Sequence, residues 1–446
     1  MWHQRCVYKK ARQESGLRNK MKSISILKMN NFLIFVPISY LYLSAFDGVI
    51  KGISYTVGLP LLGQLKDAPL FLGFLYLILS SNLKIALKKT TGYILFFLAL
   101  YILYSLYLGI RFPQIIFALK LLLPVIIGLR LHISSLNNGN WYFHIIFLVI
   151  ITVIGLIANQ FIDYPWQNID IAIFGADISS SKISDVNITS LKRVPGFGAT
   201  PGSSSIFILV LSIIFIYKRR IASKSFGLVD FLFHLTCIFG VIFTTQKTVL
   251  VALLACYITA FFTSNPKSTQ RLMILLISSL IIPPIISFIY YINFGYTPIG
   301  LNLIKIPYGL DFLASYIDRI INIWPFYYSM AMSEHPILSF IFGMGIGSTG
   351  PSAKIFSPDF YHPGDGIIIS LISYFGLIGF ILILKLFIFN FKKYRVLLKE
   401  FPDAFVYITL IISLGGALNV IDSPLVMLFL GVFYSEASRK LQAKNN

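Results

Sequence analysis

Apolar residues occur in runs of about 20, the length that crosses a bilayer of roughly 30 Å as a helix, and short polar breaks separate the runs. The pattern predicts an all-α fold, a polytopic membrane protein with about 12 transmembrane helices. The predicted spans are residues 30–50, a segment ending before 84, 91–110, 113–129, 141–160, a segment from 201 to 218, 227–243, 248–263, 272–292, 367–391, 404–418 and 425–438.

Two polar breaks are much longer than the others, residues 161–199 and 293–366. The second is expected to be partly helical, because 316–324 has the pattern of an amphipathic helix near the membrane interface. It also contains the glycine run 343–347, which is typical of a tight turn dipping back into protein.

Residues 30–446 are predicted to form a single integral membrane domain behind a basic cytoplasmic tail, residues 1–29. Met21 is a second candidate start, so it is left open whether residues 1–20 belong to the native N-terminus.

Composition and charge agree with a membrane protein. Hydrophobic residues make up 57% of the chain and charged residues 12%, far from the mix of a soluble domain. The formal net charge of +20 could indicate nucleic acid as a partner, but no basic groove with interleaved aromatic residues stands apart from the spans. Lys and Arg instead lie in short loops beside the spans, which makes the lipid bilayer the expected partner and places both termini in the cytoplasm and both long loops outside.

The first long loop runs into the sixth span through the sequence LKRVPGFGATPG, residues Leu191 to Gly202. Its prolines and glycines favour an irregular backbone, which is tolerated at membrane depth only where it faces protein or a watery cavity. Arg193 in this segment can bind phosphate through its fork of donors, or it can be an interfacial arginine that snorkels to lipid headgroups.

Further cationic groups are predicted on the same external side. Arg319 lies in the amphipathic stretch, where it can bind substrate or simply pair with an acidic neighbour. Lys247 lies at the tip of the hairpin between the seventh and eighth spans. Lys120 lies inside the fourth span, where an isolated ammonium group needs a cavity or a partner.

His362 and Asp365 come immediately before the tenth span. Histidine titrates near neutral pH and a carboxylate can orient it, so the two can take a proton from an attacking hydroxyl group; a solvated loop histidine is the alternative. No HExxH, GxSxG or paired cysteine ligands occur, and the acidic residues are too scattered for a metal site. No metal and no cofactor is therefore expected.

In this order and spacing, the features resemble the O-antigen polymerase (Wzy) and ligase (WaaL) superfamily of bacterial surface polysaccharide assembly. The resemblance covers roughly Arg193 to the C-terminus and rests on RVPGFGATPG before a span, TTQK in a hairpin, Arg319 ahead of Trp324, HPILSFIFGMGIG, and HPGDGIIISLISYFGLIG. The chain departs from the family pattern at Lys247, where arginine is usual, and at Pro363 after the histidine.

The resemblance implies an O-antigen polymerase, a metal-independent glycosyltransferase of the bacterial inner membrane with its active site facing the periplasm. Such an enzyme transfers a glycan from undecaprenyl diphosphate to the terminal sugar hydroxyl of another lipid-linked repeat unit, and a chain-length regulator is a further expected partner. In this assignment Arg193, Arg319 and Lys247 bind the diphosphate, His362 is the base, and Asp365 orients it or contacts the acceptor. The alternatives are an O-antigen ligase acting on lipid A core and, from another class, a transporter or flippase of the precursor.

Overall fold

The chain was analysed as a computed structural model, in which the described residues are 35–79, 89–129, 141–173, 176–179, 181, 192–221, 226–262, 266–297, 314–333, 335–357, 365–381, 403–416, 418, 420 and 423–445. The helices in these ranges are α1 (Phe35–Ala45), α2 (Asp47–Thr56), α3 (Ala68–Leu79), α4 (Lys89–Tyr107), α5 (Phe112–Gly128), α6 (Trp141–Phe161), α7 (Pro201–Ile221), α8 (Leu228–Phe243), α9 (Lys247–Phe262), α10 (Pro266–Phe294), α11 (Ala314–Asp318), α12 (Trp324–Ala331), α13 (Pro336–Phe342), α14 (Gly350–Phe356), α15 (Ile367–Ile381), α16 (Asp403–Gly415) and α17 (Pro424–Asn445).

The predicted helical fold is confirmed, and the helices follow the predicted spans to within a few residues at most ends. Among the described residues, three helices are long and apolar enough to cross a membrane: Trp141–Phe161, Pro201–Arg219 and Ile274–Phe294. Eight further apolar helices in the same part of the chain have 10 to 17 residues. These helices are compatible with a membrane protein, while the count of about 12 spans stays a prediction.

The first predicted span is not one helix, because the chain breaks at Phe46 between α1 and α2. The Phe46 ring stacks on Phe197, with ring centroids 5.7 Å apart, and the next residue, Asp47, receives two lysine side chains. A 3-10 helix, Pro60–Asp67, then leads into α3. Contacts made by distant residues therefore interrupt a helix that the apolar pattern alone would continue.

The first long loop contains a short antiparallel hairpin in an otherwise helical fold. Strands β1 (Asp170–Ile173) and β2 (Ala176–Ser179) pair in the register Asp170 to Ser179. The helical prediction did not include these strands, whose four-residue length is too short to give a clear alternating pattern.

Helix α7 lies at the centre of the main core, and 78% of its apolar window is buried. Consecutive residues such as Ile208, Leu209 and Val210 are all buried, so α7 is surrounded by other elements rather than packed on one face. Helix α10 contrasts with it, because only 17% of its window is buried. The apolar side chains that α10 leaves exposed are those expected of a helix facing lipid.

The glycine run of the second long loop turns back into protein, as its pattern predicts. Gly343, Gly345 and Gly347 all have positive φ angles. The backbone N–H of Ile346 donates to Ser105 Oγ of α4 at 2.7 Å, and the backbone carbonyl of Gly347 accepts from Gln114 Nε2 of α5 at 2.7 Å. The turn ties this loop to two apolar helices.

Candidate functional site

The segment that carries Arg193 is held rigidly by buried hydrogen bonds to the first long loop and to α6. The Gly196 N–H donates to Asn159 Oδ1 at 3.1 Å, and Asn159 in turn exchanges hydrogen bonds with Gln167 at 2.6 and 3.1 Å. The Gly48 N–H donates to the Phe197 carbonyl at 3.0 Å. The irregular backbone predicted from its prolines and glycines is thus satisfied by protein partners, as buried polar backbone requires.

Gly196 shows why this segment needs glycine. Its φ angle is +63°, and a Cβ atom there would lie 3.0 Å from the backbone nitrogen of Leu156. The positive φ angle disfavours any residue with a side chain, and the close approach of α6 leaves little room for a Cβ atom. The backbone on the C-terminal side of Arg193 is therefore fixed against a transmembrane-length helix.

Gln160, the last polar residue of α6, fixes the backbone on the other side of Arg193. Its side-chain amide accepts from the Lys192 N–H at 3.0 Å and donates to the Lys192 carbonyl at 2.8 Å. The same amide lies 3.3 Å from the carbonyl of Phe243, at the end of α8. Arg193 thus projects from a backbone that is held on both sides.

The Arg193 side chain is partly buried, and its Nε atom is buried with no hydrogen-bond acceptor among the described residues. Burial lowers the pKa of Arg193, and the positive charge of Arg319 lowers it further. The two arginines come from different long loops, and the positive charge of Arg319 acts on the Arg193 guanidinium group. A partly buried cation with an unsatisfied donor and a second cation that acts on it favour an anionic ligand.

Arg319 begins a π-helical turn, Arg319–Ile323, inserted between α11 and α12. Such π turns inside helices are frequent at functional sites. The Arg319 Nε atom donates to Asp365 Oδ2 at 3.1 Å, with side chains 16% and 24% exposed. Asp365 is thus an acidic partner of Arg319, a possibility that the sequence left open, while the carboxylate of the adjacent Asp318 accepts from Asn322 at 2.7 Å.

Asp365 is held at the start of α15 by its own backbone. Its carbonyl accepts from the indole Nε1 of Trp324 at 2.7 Å, and Trp324 is only 1% exposed. Burial raises the pKa of Asp365, and the nearby Arg319 charge opposes that rise. We call Arg193, Arg319 and Asp365 the arginine site.

Lys247 begins α9, directly after the turn that the sequence predicted. Thr245 in this turn has a φ angle of +54°, and the Gln246 amide lies 3.9 Å from the Cβ position of Gly202 at the start of α7. The Lys247 side chain is exposed. The turn thus lies next to the segment that carries Arg193, residues 192–200, which we call the arginine segment. Joint binding by Lys247 and the two arginines stays a prediction.

His362 lies outside the described residues, so its predicted role as a base also stays a prediction. Lys120 has a protein partner: its Nζ atom lies 2.5 Å from Asp67 Oδ2 and 3.0 Å from Gln64 Oε1. The expected need of this intramembrane cation for a partner is met within the chain.

The sequence interpretation missed the amides that position Arg193, namely Asn159, Gln160 and Gln167. A signal for two of them was present, because Asn159 and Gln160 are adjacent polar residues that end an otherwise apolar run. Polar side chains in such a place are expected to face protein and find partners there.

No protein-family model, no curated protein and no solved structure matches this chain. The functional assignment therefore depends on the residues and their geometry, together with the resemblance in motif order.

Proposed function

We propose that this protein is a surface polysaccharide polymerase that transfers a glycan from undecaprenyl diphosphate to the terminal sugar hydroxyl of another lipid-linked repeat unit. The observation that carries the proposal is the arginine site. In this site Arg319 hydrogen bonds to Asp365, and the positive charge of Arg319 acts on Arg193. The motif order assigned these three residues, which lie on separate segments, to one site.

The charge of the site favours an anionic ligand. Among the described residues, the Asp365 carboxylate hydrogen bonds to Arg319, and the buried Nε atom of Arg193 has no hydrogen-bond acceptor. A partly buried charge without a counter-ion is costly. A diphosphate matches the site, because guanidinium groups bind phosphate oxygens through paired donors.

The surroundings of the site favour a ligand with a lipid portion. The arginine segment runs directly into α7, and the carbonyl of Phe243 at the end of α8 touches the same Gln160 amide. Exposed apolar side chains cover α8 and α10, including Leu228, Leu232 and Ile289. A polyprenyl chain can lie along such surfaces while its diphosphate reaches the two arginines.

The proposed step is a displacement at the anomeric carbon of the donor glycan. The acceptor hydroxyl oxygen forms the new bond to that carbon, the bond from the carbon to the diphosphate oxygen breaks, and its electron pair leaves with the diphosphate. Arg193 and Arg319 stabilise the charge that develops on the leaving group. His362 takes the hydroxyl proton, and Asp365 orients that base or contacts the acceptor.

The proposal includes about 12 spans, both termini in the cytoplasm, and an arginine site that faces the periplasm across the bacterial inner membrane. Lys247 contributes a third cation to the diphosphate, and a chain-length regulator is a partner of the enzyme in the cell. This arrangement is supported by the distribution of Lys and Arg between loops.

The direct test uses the purified full-length protein and an undecaprenyl-diphosphate-linked repeat unit in detergent. We expect chains of several repeats, separated by gel electrophoresis, and we expect Arg193→Ala, Arg319→Ala and His362→Ala each to lower the rate at least about 100-fold. The control is Lys192→Gln, because Lys192 is a solvent-exposed neighbour of Arg193 that pairs with exposed Asp163. Full polymer from either arginine variant would remove the basis of the proposal.

A ligase uses the same donor, so a deletion strain distinguishes the two activities. Loss of a polymerase leaves lipopolysaccharide capped by a single repeat unit, whereas loss of a ligase leaves lipid A core without any repeat. A deletion strain with bare core would replace the polymerase by the ligase.

A transporter of the same precursor is the second candidate, and the ion pair between Lys120 and Asp67 favours it. Lys120 lies within a predicted span, where it pairs with Asp67 of the 3-10 helix. Intramembrane ionisable groups often mark a transport pathway. Elongation in detergent, where no two compartments exist, requires catalysis rather than transport. Precursor movement across a vesicle membrane without elongation would favour the transporter instead.

A further inference from the structure

A second group of charged side chains lies outside the arginine site. The lysine cluster consists of Asp47, Lys51, Lys66, Asp67 and Lys120. Asp47 Oδ2 is shared by Lys51 Nζ at 3.0 Å and Lys66 Nζ at 2.7 Å, while Lys120 Nζ lies 2.5 Å from Asp67 Oδ2. The residues come from α2, from the 3-10 helix that follows it and from α5, so three elements build one polar group.

The lysine cluster is buried and carries a surplus positive charge. The two carboxylate side chains are 3% and 4% exposed, whereas the three lysine side chains are 16% to 22% exposed. Three ammonium groups therefore face two carboxylates, so the cluster carries one more positive charge than negative among the described residues. Removing one charge from a buried set leaves an uncompensated group at a cost of several kcal/mol. A further anion would therefore stabilise a buried cluster that has one extra positive charge.

Lys51 is the lysine in surplus. Lys66 approaches Asp47 more closely than Lys51 does, and Lys120 already neutralises Asp67. Burial lowers the pKa of Lys51, and the neighbouring Lys66 charge lowers it further. Without Lys51, the remaining two lysines and two carboxylates would balance.

The lysine cluster lies beside the segment that carries Arg193. Gly48, on the first turn of α2, donates its backbone N–H to the carbonyl of Phe197 at 3.0 Å. Gly52, one residue after Lys51, packs so closely on Trp166 of the first long loop that a Cβ atom would lie 2.1 Å from the Trp166 Cβ. The helix that provides Lys51 therefore contacts both the arginine segment and the loop before it.

We propose that the lysine cluster binds the diphosphate of a second polyprenyl-linked substrate, the acceptor, while the arginine site binds the donor. This inference depends on the proposed polymerase function, because a polymerase uses two polyprenyl-diphosphate-linked substrates per step whereas a ligase uses one. The flexible ammonium groups bind phosphate as point charges rather than as rigid forks. Such binding suits a diphosphate that stays intact and needs no stabilisation of a leaving group.

Two buried oxygens support a ligand that also carries hydroxyl groups. Asp47 Oδ1 and Asp67 Oδ1 are buried and have no hydrogen-bond donor among the described residues. Each can accept a hydrogen bond from a hydroxyl group, as a sugar next to the diphosphate would provide. The cluster thus offers both an unmatched cation and unmatched acceptors.

The number of bound lipids measures the proposal directly. Native mass spectrometry of the full-length protein in detergent, titrated with undecaprenyl diphosphate, resolves protein with zero, one or two lipids. We expect two on the wild type, one on Lys51→Gln, two on Lys51→Arg and one on Arg319→Ala. Lys192→Gln, a change of an exposed lysine on the same loop, is expected to keep two.

A folding defect is separated from a binding defect in two ways. Lys51→Gln leaves a balanced set of four charges, so we expect its thermal unfolding midpoint to be at least that of the wild type. Lys66→Gln leaves the same total charge, with Lys51 on Asp47, and it is expected to lose the same lipid. Each variant that folds therefore tests whether binding of the second lipid depends on the extra positive charge of the cluster.

The other outcomes are also distinct. Two lipids on folded Lys51→Gln, or one lipid on the wild type that is lost only with Arg319→Ala, would overturn the second site and leave the polymerase proposal intact. Two lipids on Arg319→Ala would count against the arginine site itself. Phosphatidylglycerol is the second probe, and equal occupancy of the Lys51-dependent site by this phospholipid would make the cluster a headgroup contact instead.

Discussion

The arginine site and the lysine cluster both combine cationic side chains with carboxylates, but they are built differently. Arg193 and Arg319 come from two long loops, and Asp365 hydrogen bonds to Arg319. The lysine cluster comes from α2, the 3-10 helix after it and α5, and both of its carboxylates are nearly inaccessible to solvent. Planar guanidinium groups on a fixed backbone can match the shape of a ligand, whereas ammonium groups around buried carboxylates chiefly match its charge.

The largest difference is expected when the two cation types are exchanged. Arg193→Lys keeps the charge but removes the fork, so we expect elongation to fall by about 10²- to 10³-fold, the cost of losing one preorganised donor to a transition state. Lys51→Arg keeps the charge of a site that binds an intact diphosphate, and its rate is expected to stay within about threefold of wild type. Initial rates of chain elongation measure both. Equal losses in the two variants would contradict the distinction between shape and charge.

A stability comparison within the lysine cluster is the second test. Lys120→Met leaves Asp67 buried without its ammonium partner, and because Lys120 is 16% exposed we expect a loss of about 2 kcal/mol rather than the full cost of a broken buried pair. Lys51→Gln removes only the surplus charge, so its free energy of unfolding should change by less than about 0.5 kcal/mol. Denaturant unfolding in detergent measures both variants. A larger loss for Lys51→Gln would show that Lys51 is not in surplus.

Much of the fold could be predicted because apolar runs decide where helices form. The helix predicted after Pro201 begins there, and the turn at Thr244 to Lys247 separates two helices as expected. The break at Phe46 could not be predicted, because it depends on Phe197, which is distant in the sequence. A hydropathy pattern records local preference and contains no information about such a partner.

The contacts within the candidate site could be anticipated only in part, because a local sequence pattern contains no information about partners that are distant in the sequence. Arg193 and Arg319 were assigned to one site by motif order, and the positive charge of Arg319 acts on Arg193 in the structure. Asp365 was expected to orient His362 or to contact the acceptor, which stays a prediction because His362 lies outside the described residues; the described contact of Asp365 with Arg319 was one of the outcomes that the sequence left open. The lysine cluster was not predicted as a group, although Lys120 was identified as needing a partner, because pairing between Asp67 and Lys120 requires knowledge of how α5 packs against the 3-10 helix.

The rigidity of the arginine segment gives the third prediction. Asn159→Ala removes the acceptor of the Gly196 N–H and the partner of Gln167, which leaves buried polar groups unpaired. We expect a loss of about 1 to 2 kcal/mol in stability and, because Arg193 then moves relative to Arg319, an elongation rate about tenfold lower. Asn159 acts only by positioning, so the elongation rate of Asn159→Ala is compared with that of Thr152→Ala, which removes a hydrogen bond within the same helix. Equal rates in the two variants would argue against a positioning role.

The smallest expected effect is a dependence of donor binding on pH. In the free protein the ionised Asp365 holds Arg319, so a diphosphate must compete with that carboxylate for the guanidinium group. Protonation of Asp365 releases Arg319, and affinity for the donor therefore rises as pH falls. Burial raises the pKa of Asp365, so the rise begins at a higher pH than for an ordinary aspartate, whose pKa is about 3.9.

The measurement is the dissociation constant of undecaprenyl diphosphate between neutral pH and the ordinary aspartate range, compared with Asp365→Asn in the same buffers. We expect Asp365→Asn to bind more tightly at neutral pH and the difference between the two proteins to shrink as pH falls. Protonation of the diphosphate weakens its charge, but this effect occurs with both proteins and cancels in the comparison. A difference that stays constant with pH would mean that the Asp365 carboxylate does not compete with the diphosphate for Arg319.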